Sequence, residues 1–286
     1  MEYEIRPLPH TDFPPLLKEI PRVPKKLWFA GKLPPTENKL LCVIGSRKHT
    51  EYGREVCEKL IEGLSGYPIT IVSGLALGID SIAHRAALKY ELQTVAVPGS
   101  GLDPKVLYPS SHLGLAHSII DNDGALISEF ENDFRATQWS FPQRNRIMAG
   151  ISHAVLVIEA EIQSGTLITS RLATDYYHDV FAVPGPIFSK TSEGPHMLIR
   201  LGATPITSSE DILKALGFEI HEHKTFLSQD LSSQEKLIID LLINPQTKDE
   251  LIRKSDISPS ELNMILTAME IKGYITESMG EIRLSI

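Results

Sequence analysis

The sequence FPQRNRIMAGIS occupies residues 141–152, followed by AVLVIEA at 154–160 and QSGT at 163–166. This order predicts a helical stretch carrying two arginines, a buried strand, and a turn of small residues that opens a second helix. Backbone N–H groups and hydroxyls at such a helix start commonly bind phosphate or another anion. The stretch therefore predicts a phosphate-backbone binder on an α/β scaffold.

The alternation of strands and helices continues on both sides of this stretch. Apolar runs predict strands at 40–44, 69–73, 94–97, 125–128, 154–158 and 180–183, and helices near 52–64, 78–90, 144–151, 167–177 and 209–216. Strands that are apolar throughout are buried on both faces, which is typical of parallel sheets covered by helices. The sequence predicts a doubly wound, mostly parallel α/β sheet in a domain spanning residues 38–217.

Shorter segments flank this domain. Residues 1–37 are rich in proline, which excludes a long helix and predicts an extended lead-in packed on the main domain. Residues 218–230 are typical of a linker. Within 231–286, three helical stretches at 233–242, 247–254 and 258–272 precede two short strands, which predicts a small winged-helix domain.

Composition limits the class of protein. The chain has 286 residues, is 42% hydrophobic and carries a net charge of −8, which argues against a general nucleic-acid coat protein. A local basic groove remains compatible with this charge, because phosphate affinity depends on the few cations that touch the ligand. The sequence lacks an apolar run of membrane length and a signal-peptide pattern in its first 30 residues. Cys42 and Cys57 fit reduced core positions, so we expect a cytoplasmic protein without membrane contact.

Glycines follow the first two strands of the predicted sheet. Gly45 and Ser46 let the chain turn at the carboxyl edge, where α/β proteins bind ligands, and Arg47 would project over that edge. Gly74, after the second strand, permits close approach of the backbone. In the loop after the third strand, a structural role for Asp103 is at least as well supported as a ligand contact. The pattern predicts ligand contacts at residues 45–47 and 74.

The two arginines of the 141–152 stretch point in different directions if the stretch is helical. Arg144 and Arg146 are separated by about 200° around a helix axis, so one phosphate cannot meet both. We expect Arg144 and Asn145 to contact the ligand, while Arg146 holds the domain or a partner. The same spacing directs Phe141, with Met148 and Ile151, toward the interior.

Carboxylates near the predicted site leave an enzymatic function open. Glu159 and Glu161 flank the phosphate turn, and either could act as a general base for hydrolysis, although no nucleophile accompanies them. Asp80 and His84 share a helix face and could form a metal pair, but a third ligand is not evident. The sequence favours binding over catalysis, with no catalytic residue, no metal and no cofactor.

The winged-helix segment could bind either DNA or protein. Its third helix would be the DNA-reading helix of such a module. That helix carries Glu261 and Glu270 against Lys272, a poor match to phosphates. We therefore expect this module to contact a protein, and a winged-helix regulator of transcription conflicts with the same acidic helix.

Taken together, the motifs resemble those of a known family, the DNA-processing protein A family (DprA, also called Smf). The matching pieces, in unbroken order, are GSRKHTEYG (45–53), SGLALGIDSIAH (73–84), TVAVPGSGLD (94–103) with YP (108–109), LISE (126–129), FPQRNRIMAGIS (141–152), VLVIEAEIQSGTLITSRLA (155–173) and VFAVPGPI (180–187). The resemblance implies an extended Rossmann-like domain that binds single-stranded DNA without sequence preference and without cleaving it. It also implies a homodimer that protects incoming strands and helps load the RecA recombinase onto them during natural transformation.

The resemblance also implies where DNA would bind. The predicted site consists of Gly45, Ser46, Arg47, Gly74, Phe141, Gln143, Arg144, Asn145, Arg146, Ser164, Gly165 and Thr166. A basic residue often stands in this family where the chain has Gln143, so we expect modest affinity. The alternative is a Rossmann-like nucleotide sensor or an enzyme resembling the lysine-decarboxylase-like phosphoribohydrolases, in which a glutamate near a glycine-threonine phosphate turn performs the chemistry.

Overall fold

The computed structural model describes residues 3–220, 231–242, 245–255, 257–278 and 280–284. The chain divides into a first unit, Met1–Glu219, and a second unit, Ile220–Ile286. From residue 221 onward, the predicted linker lies outside the described residues.

Among the described residues, the first unit forms one nine-stranded sheet. The strands are β1 (Arg6–Leu8), β2 (Leu27–Gly31), β3 (Lys39–Ile44), β4 (Ile69–Ser73), β5 (Thr94–Ala96), β6 (Ala125–Ser128), β7 (Ala154–Val157), β8 (Asp179–Ala182) and β9 (Thr204–Pro205). Their spatial order is β1-β2-β6-β5-β4-β3-β7-β8-β9. The pairs from β6 to β9 are parallel, while β1 and β2 are antiparallel to their neighbours. The predicted mostly parallel α/β sheet is confirmed.

Helices cover both faces of this sheet. They are α1 (Pro15–Glu19), α2 (Glu51–Glu62), α3 (Ile79–Lys89), α4 (Leu113–Asp121), α5 (Ser140–Ile151), α6 (Thr166–Asp175), α7 (Glu193–Arg200) and α8 (Ser209–Ala215). Helix α5 begins four residues before the predicted start. Pro142 does not prevent this, because a proline in the first turn removes an N–H that has no helical partner there.

The core lies between the sheet and these helices. On one face, Cys42 and Val72 belong to the same cluster as Met148 of α5. On the other face, Ala96 clusters with Ile119 of α4. Strands buried on both faces explain the continuous apolar runs in the sequence.

The lead-in is part of the sheet. Strand β2 pairs with β6 through Trp28 opposite Ser128 and Phe29 opposite Ile127. Helix α1 is only five residues long, and its Leu17 is fully buried in the main cluster. The sequence predicted an extended segment packed on the domain. It did not predict strand pairing, because the partner strand lies far along the chain and the prolines around β2 resemble a loop.

The strand order reverses between β3 and β7. Strands β4, β5 and β6 follow on one side of β3, whereas β8 and β9 follow on the other side of β7. The two central strands pair directly, with Ile44 opposite Val157 near their carboxyl ends. In doubly wound sheets, such a reversal opens a crevice beyond the carboxyl ends of the strands, where ligands bind. The loops after β3 and β7 therefore form the candidate site.

The second unit is a winged-helix fold, as predicted. Its helices are α9 (Ser233–Leu241), α10 (Lys248–Ser255) and α11 (Pro259–Ile271), and its antiparallel strands are β10 (Gln246–Thr247), β11 (Ile275–Ser278) and β12 (Glu281–Leu284). Its core joins Ile238, Leu251, Leu266 and Ile282. Over the described ranges of both units, no helix combines the length and apolar character needed to cross a bilayer.

Candidate functional site

A cavity of about 630 Å³ lies at the strand-order reversal. It is bounded by the loop after β3, the first turns of α5 and the turn that opens α6. Nine of the predicted site residues line it: Gly45, Ser46, Arg47, Phe141, Arg144, Asn145, Ser164, Gly165 and Thr166. The fold thus brings together three segments that are far apart in the sequence.

Arg47 is an exposed cation at this cavity. Its guanidinium carbon lies 5.2 Å from the centroid of the Phe141 ring. The Phe141 ring in turn lies 5.6 Å from that of Tyr108, which is 47% exposed. Arg47 has no ion-pair partner among the described residues. The positive charge of Arg47 is therefore accessible to a ligand, and it lies beside the partly exposed rings of Phe141 and Tyr108.

Arg144 is held inside the wall of the cavity. It is only 4% exposed, and its Nη1 donates a hydrogen bond to the Val97 carbonyl. The buried carboxylate of Asp80 accepts a hydrogen bond from the Gly74 N–H at 3.1 Å. Burial raises the pKa of Asp80, while the positive charge of Arg144 and backbone N–H groups act against this rise. Burial likewise lowers the pKa of Arg144, and the Asp80 charge opposes the change.

Gly74 is required by this buried pair. A Cβ atom at this position would lie 2.0 Å from Nη1 of Arg144 and 2.6 Å from Oδ2 of Asp80. Gly74 borders the small depression beside Arg47 rather than the cavity itself, and it lets the two charged groups approach each other. Ligand contact by Arg144 and Gly74 stays a prediction, since both have a structural role in this arrangement.

The turn before α6 is attached to the loop after β3. The Thr166 hydroxyl donates to the Gly45 carbonyl at 3.2 Å, and the Thr166 N–H donates to the Ser164 hydroxyl at 3.2 Å. Asn145 approaches the Gly165 carbonyl from α5, with 3.5 Å between donor and acceptor. The turn uses part of its hydrogen-bonding capacity internally. It therefore offers an anion fewer donors than the sequence suggested.

Gln143 and Arg146 lie away from the cavity. Both line a second cleft of about 1080 Å³ between the lead-in and α5 and α6. Arg146 pairs with Glu129 and donates to the Arg22 carbonyl. Arg144 and Arg146 thus point to different sides of α5, as helical spacing predicts. Although this cleft is the larger one, the charge of Arg146 is neutralised by a carboxylate that is itself mostly buried, so we place the site at Arg47.

Glu159 is used to hold the loop and helix that follow β3. It is 2% exposed, and its carboxylate accepts hydrogen bonds from the Thr50 N–H at 2.9 Å, the Thr50 hydroxyl at 2.6 Å and the Thr191 hydroxyl at 2.8 Å. Thr50 also caps α2. Glu161, by contrast, is exposed and lines the cavity. Of the two acids, Glu161 is the one placed to meet a ligand.

The residues of the suggested metal pair have other partners. Nδ1 of His84 lies 2.7 Å from the Thr94 hydroxyl, and burial lowers the pKa of His84 to about 3. The Asp80 carboxylate is directed at Gly74. Within the described residues, no group of three His, Cys, Asp or Glu side chains is arranged to hold a metal ion.

Comparison with known proteins identifies the family of both units. The family model of DNA recombination-mediator protein A matches residues 5–217. The chain belongs to this family. The model of the DprA winged helix domain matches residues 222–281. The resemblance inferred from the motifs is therefore confirmed.

Relatives and solved structures of the family cover much of the chain. Protein Smf of Escherichia coli is 37% identical over 277 residues, which cover 94% of this chain and 74% of that protein. The X-ray structure of DNA processing protein A from Streptococcus pneumoniae is 38% identical, has a TM-score of 0.69 and covers 76% of both chains. The structure of the Helicobacter pylori protein, which has a single-stranded DNA binding mode, is 28% identical, has a TM-score of 0.66 and covers 75% of this chain and 96% of its own.

Several residues around the cavity were missed by the sequence reasoning. Lys48 and Gln138 line it, and Tyr108 and Leu77 border a small adjoining depression beside Arg47. Lys48 directly follows the predicted Arg47, so extending the motif by one residue would have found it. The loop with Tyr108-Pro109 was expected at the same edge of the sheet, but only the fold shows that the Tyr108 ring lies beside that of Phe141.

The loop that carries Arg47 rests on Gly78. This glycine has φ +81° and ψ −133°, and an added Cβ would lie 2.2 Å from the Ser46 carbonyl oxygen and 2.7 Å from the Arg47 Cα. Gly66 also has a positive φ (+82°), but a Cβ there would meet nothing within 4 Å. A side chain at either position would strain the backbone, but only a side chain at position 78 would also collide with the backbone of the loop at 46–47.

Gly78→Ala is expected to lower the free energy of unfolding by roughly 3 kcal/mol, because the loop at 46–47 must also shift. Gly66→Ala, as the matched control, is expected to cost only about 1–2 kcal/mol. Urea titration monitored by tryptophan fluorescence measures both. Equal losses in the two variants would show that the contact with the loop does not constrain Gly78.

Proposed function

We propose that this protein binds single-stranded DNA without sequence preference in the cavity bounded by residues 45–48 and 141–145, and that it does not cleave the strand. The observation that carries the proposal is the exposed guanidinium of Arg47 beside the rings of Phe141 and Tyr108. A cation contacts phosphate, and an aromatic face stacks on any base. In a duplex the bases are already stacked and paired, so a stacking wall favours the single strand.

The expected energies are compatible with useful affinity. Stacking contributes about 1–3 kcal/mol per base. Contacts with phosphate add a term that weakens as salt rises, because binding releases condensed counterions. Arg47 and Lys48 provide the exposed positive charge at the cavity, opposed by Glu161. With a net charge of −8 for the whole chain, this local surface must supply the attraction.

An enzymatic function has one feature in its favour, the exposed Glu161 at the cavity. Glu159 is less suited to proton transfer, because its two oxygens already accept three hydrogen bonds. Release of base from a nucleoside monophosphate, lost in Glu161→Gln, would favour a phosphoribohydrolase-like enzyme. We expect no release above the rate without protein.

The resemblance to the family supports a more specific role in natural transformation. The bound strand is protected and passed to the RecA recombinase during natural transformation, by a cytoplasmic homodimer. For the second unit we favour protein contact, since α11 exposes Met264 (68%) and Ile271 (82%). Exposed apolar side chains on a helix suit a protein partner better than phosphates.

The first experiment is equilibrium binding of labelled oligo-dT and of the matching duplex at two salt concentrations. We expect preferential binding of the single strand, weakened by salt. Equal affinity for both forms would remove the stacking argument. Binding of neither form would overturn the proposal and direct attention to nucleotide ligands.

A further inference from the structure

The loop after β8 exposes two large apolar side chains next to each other. Ile187 is 78% exposed and Phe188 is 95% exposed, and the exposed Lys190 follows two residues later. The loop is anchored at its start, where the Tyr52 hydroxyl donates to the Pro184 carbonyl at 2.6 Å. Side chains of this size contribute nothing to the core in such a position. Their exposure needs another explanation.

Short connections join this loop to the cavity. On one side, Thr50 and Thr191 donate to the same Glu159 carboxylate, and Thr50 is two residues from Lys48 in the cavity wall. On the other side, the Ala160 N–H donates to the Thr191 carbonyl at 2.7 Å, and the next residue is Glu161 of the cavity wall. The loop and the cavity therefore lie close together at the carboxyl edge of the sheet.

The chemistry of this surface matches a nucleic-acid strand. Lys48, which lines the cavity, and the next residue, His49, are exposed, and the exposed Lys190 follows Phe188 by two residues. Exposed aromatic side chains interleaved with cations are the usual platform for sequence-tolerant single-strand binding. The apolar character continues through Ile162, which is 47% exposed.

We infer that the loop at residues 184–190 is a second stacking site for the same DNA strand. Phe188 stacks on a base outside the cavity, and Lys190 contacts a neighbouring phosphate. The strand then runs from the wall of Phe141 and Tyr108, past Arg47 and Lys48, to Phe188. This inference rests on the proposed function, and it makes the binding site longer than the cavity.

The test compares a short oligo-dT of about six nucleotides, which fits the cavity, with a long one of about twenty. Phe188→Ala is expected to weaken the long oligonucleotide about tenfold and to leave the short one unchanged. Tyr177→Ala is the matched control, because Tyr177 is 98% exposed but precedes β8, at the opposite edge of the sheet. Phe188→Trp should retain the affinity, and its added fluorescence should be quenched by the long oligonucleotide alone.

The outcomes distinguish failure of the second stacking site from failure of the proposed function. Wild-type affinity of Phe188→Ala for the long oligonucleotide would overturn the second stacking site while leaving the cavity in place. A change in oligomer mass without a change in DNA affinity would show that a second copy of the chain covers the loop, which also overturns it. If the unaltered protein binds neither oligonucleotide, the proposed function itself fails.

Discussion

Arg144→Met is expected to lower the free energy of unfolding of the first unit by about 3–5 kcal/mol. The arginine is 4% exposed and shares the space beside Gly74 with the buried Asp80 carboxylate. Methionine fills a similar volume without charge, so Asp80 would stay buried with no cation to offset its desolvation. Removing the opposite charge that offsets the burial of a carboxylate leaves that carboxylate uncompensated, which is strongly destabilising.

Urea titration with tryptophan fluorescence reports on this unit selectively, because both tryptophans, Trp28 and Trp139, lie in it. The double variant Asp80→Asn, Arg144→Met should lose less than the sum of the single losses, as expected for coupled neighbours. The Asp80→Asn variant alone serves as the second arm of this cycle.

The loss in Arg144→Met should also depend on pH. The folded-state pKa of Asp80 is raised by burial, and removing Arg144 raises it further. A raised carboxyl pKa means that the native state binds the proton more tightly than the unfolded state. As the pH falls, the difference in unfolding free energy between wild type and Arg144→Met becomes smaller. As the pH rises, this difference becomes larger. A variant as stable as wild type that has lost DNA binding would instead show that Arg144 acts as a ligand contact.

The Arg47→Ala, Phe141→Ala double variant is expected to bind oligo-dT about a hundredfold more weakly, through the loss of one phosphate contact and one stacked base. The two single variants should differ in how their DNA affinity depends on salt. Arg47→Ala should lower the slope of log affinity against log salt by about 0.7, the value for one phosphate contact on a single strand. Phe141→Ala should lower affinity with little change in this slope, because stacking releases no counterions.

Binding titrations over a range of salt concentrations measure both quantities. Lys214→Ala is a suitable control, since Lys214 is an exposed cation on α8, outside the residues that line the cavity. Arg47→Ala should leave the unfolding free energy within about 0.5 kcal/mol of wild type, as is usual for exposed side chains. A salt slope unchanged in Arg47→Ala would remove Arg47 from the DNA site.

The two arginines after Phe141 illustrate the limit of pattern analysis. Helical spacing predicted that Arg144 and Arg146 diverge, and they do. The pattern selected Arg144 for ligand contact, yet the structure buries it against the Val97 carbonyl. Its burial depends on Gly74, in the loop after β4, and on Asp80 of α3. No local sequence signal reports on such partners.

The sequence by itself determined the alternating strands and helices, the turn at residues 45–47 and the membership of the family. These features depend on local periodicity and on short motifs, which the chain carries wherever it folds. The tertiary structure alone decided that β1 and β2 extend the sheet, that Arg144 is buried and that Arg146 pairs with Glu129. The physical reason is that burial and charge pairing are set by groups distant in the chain, such as Asp80 and Glu129, which only the packed fold brings into contact.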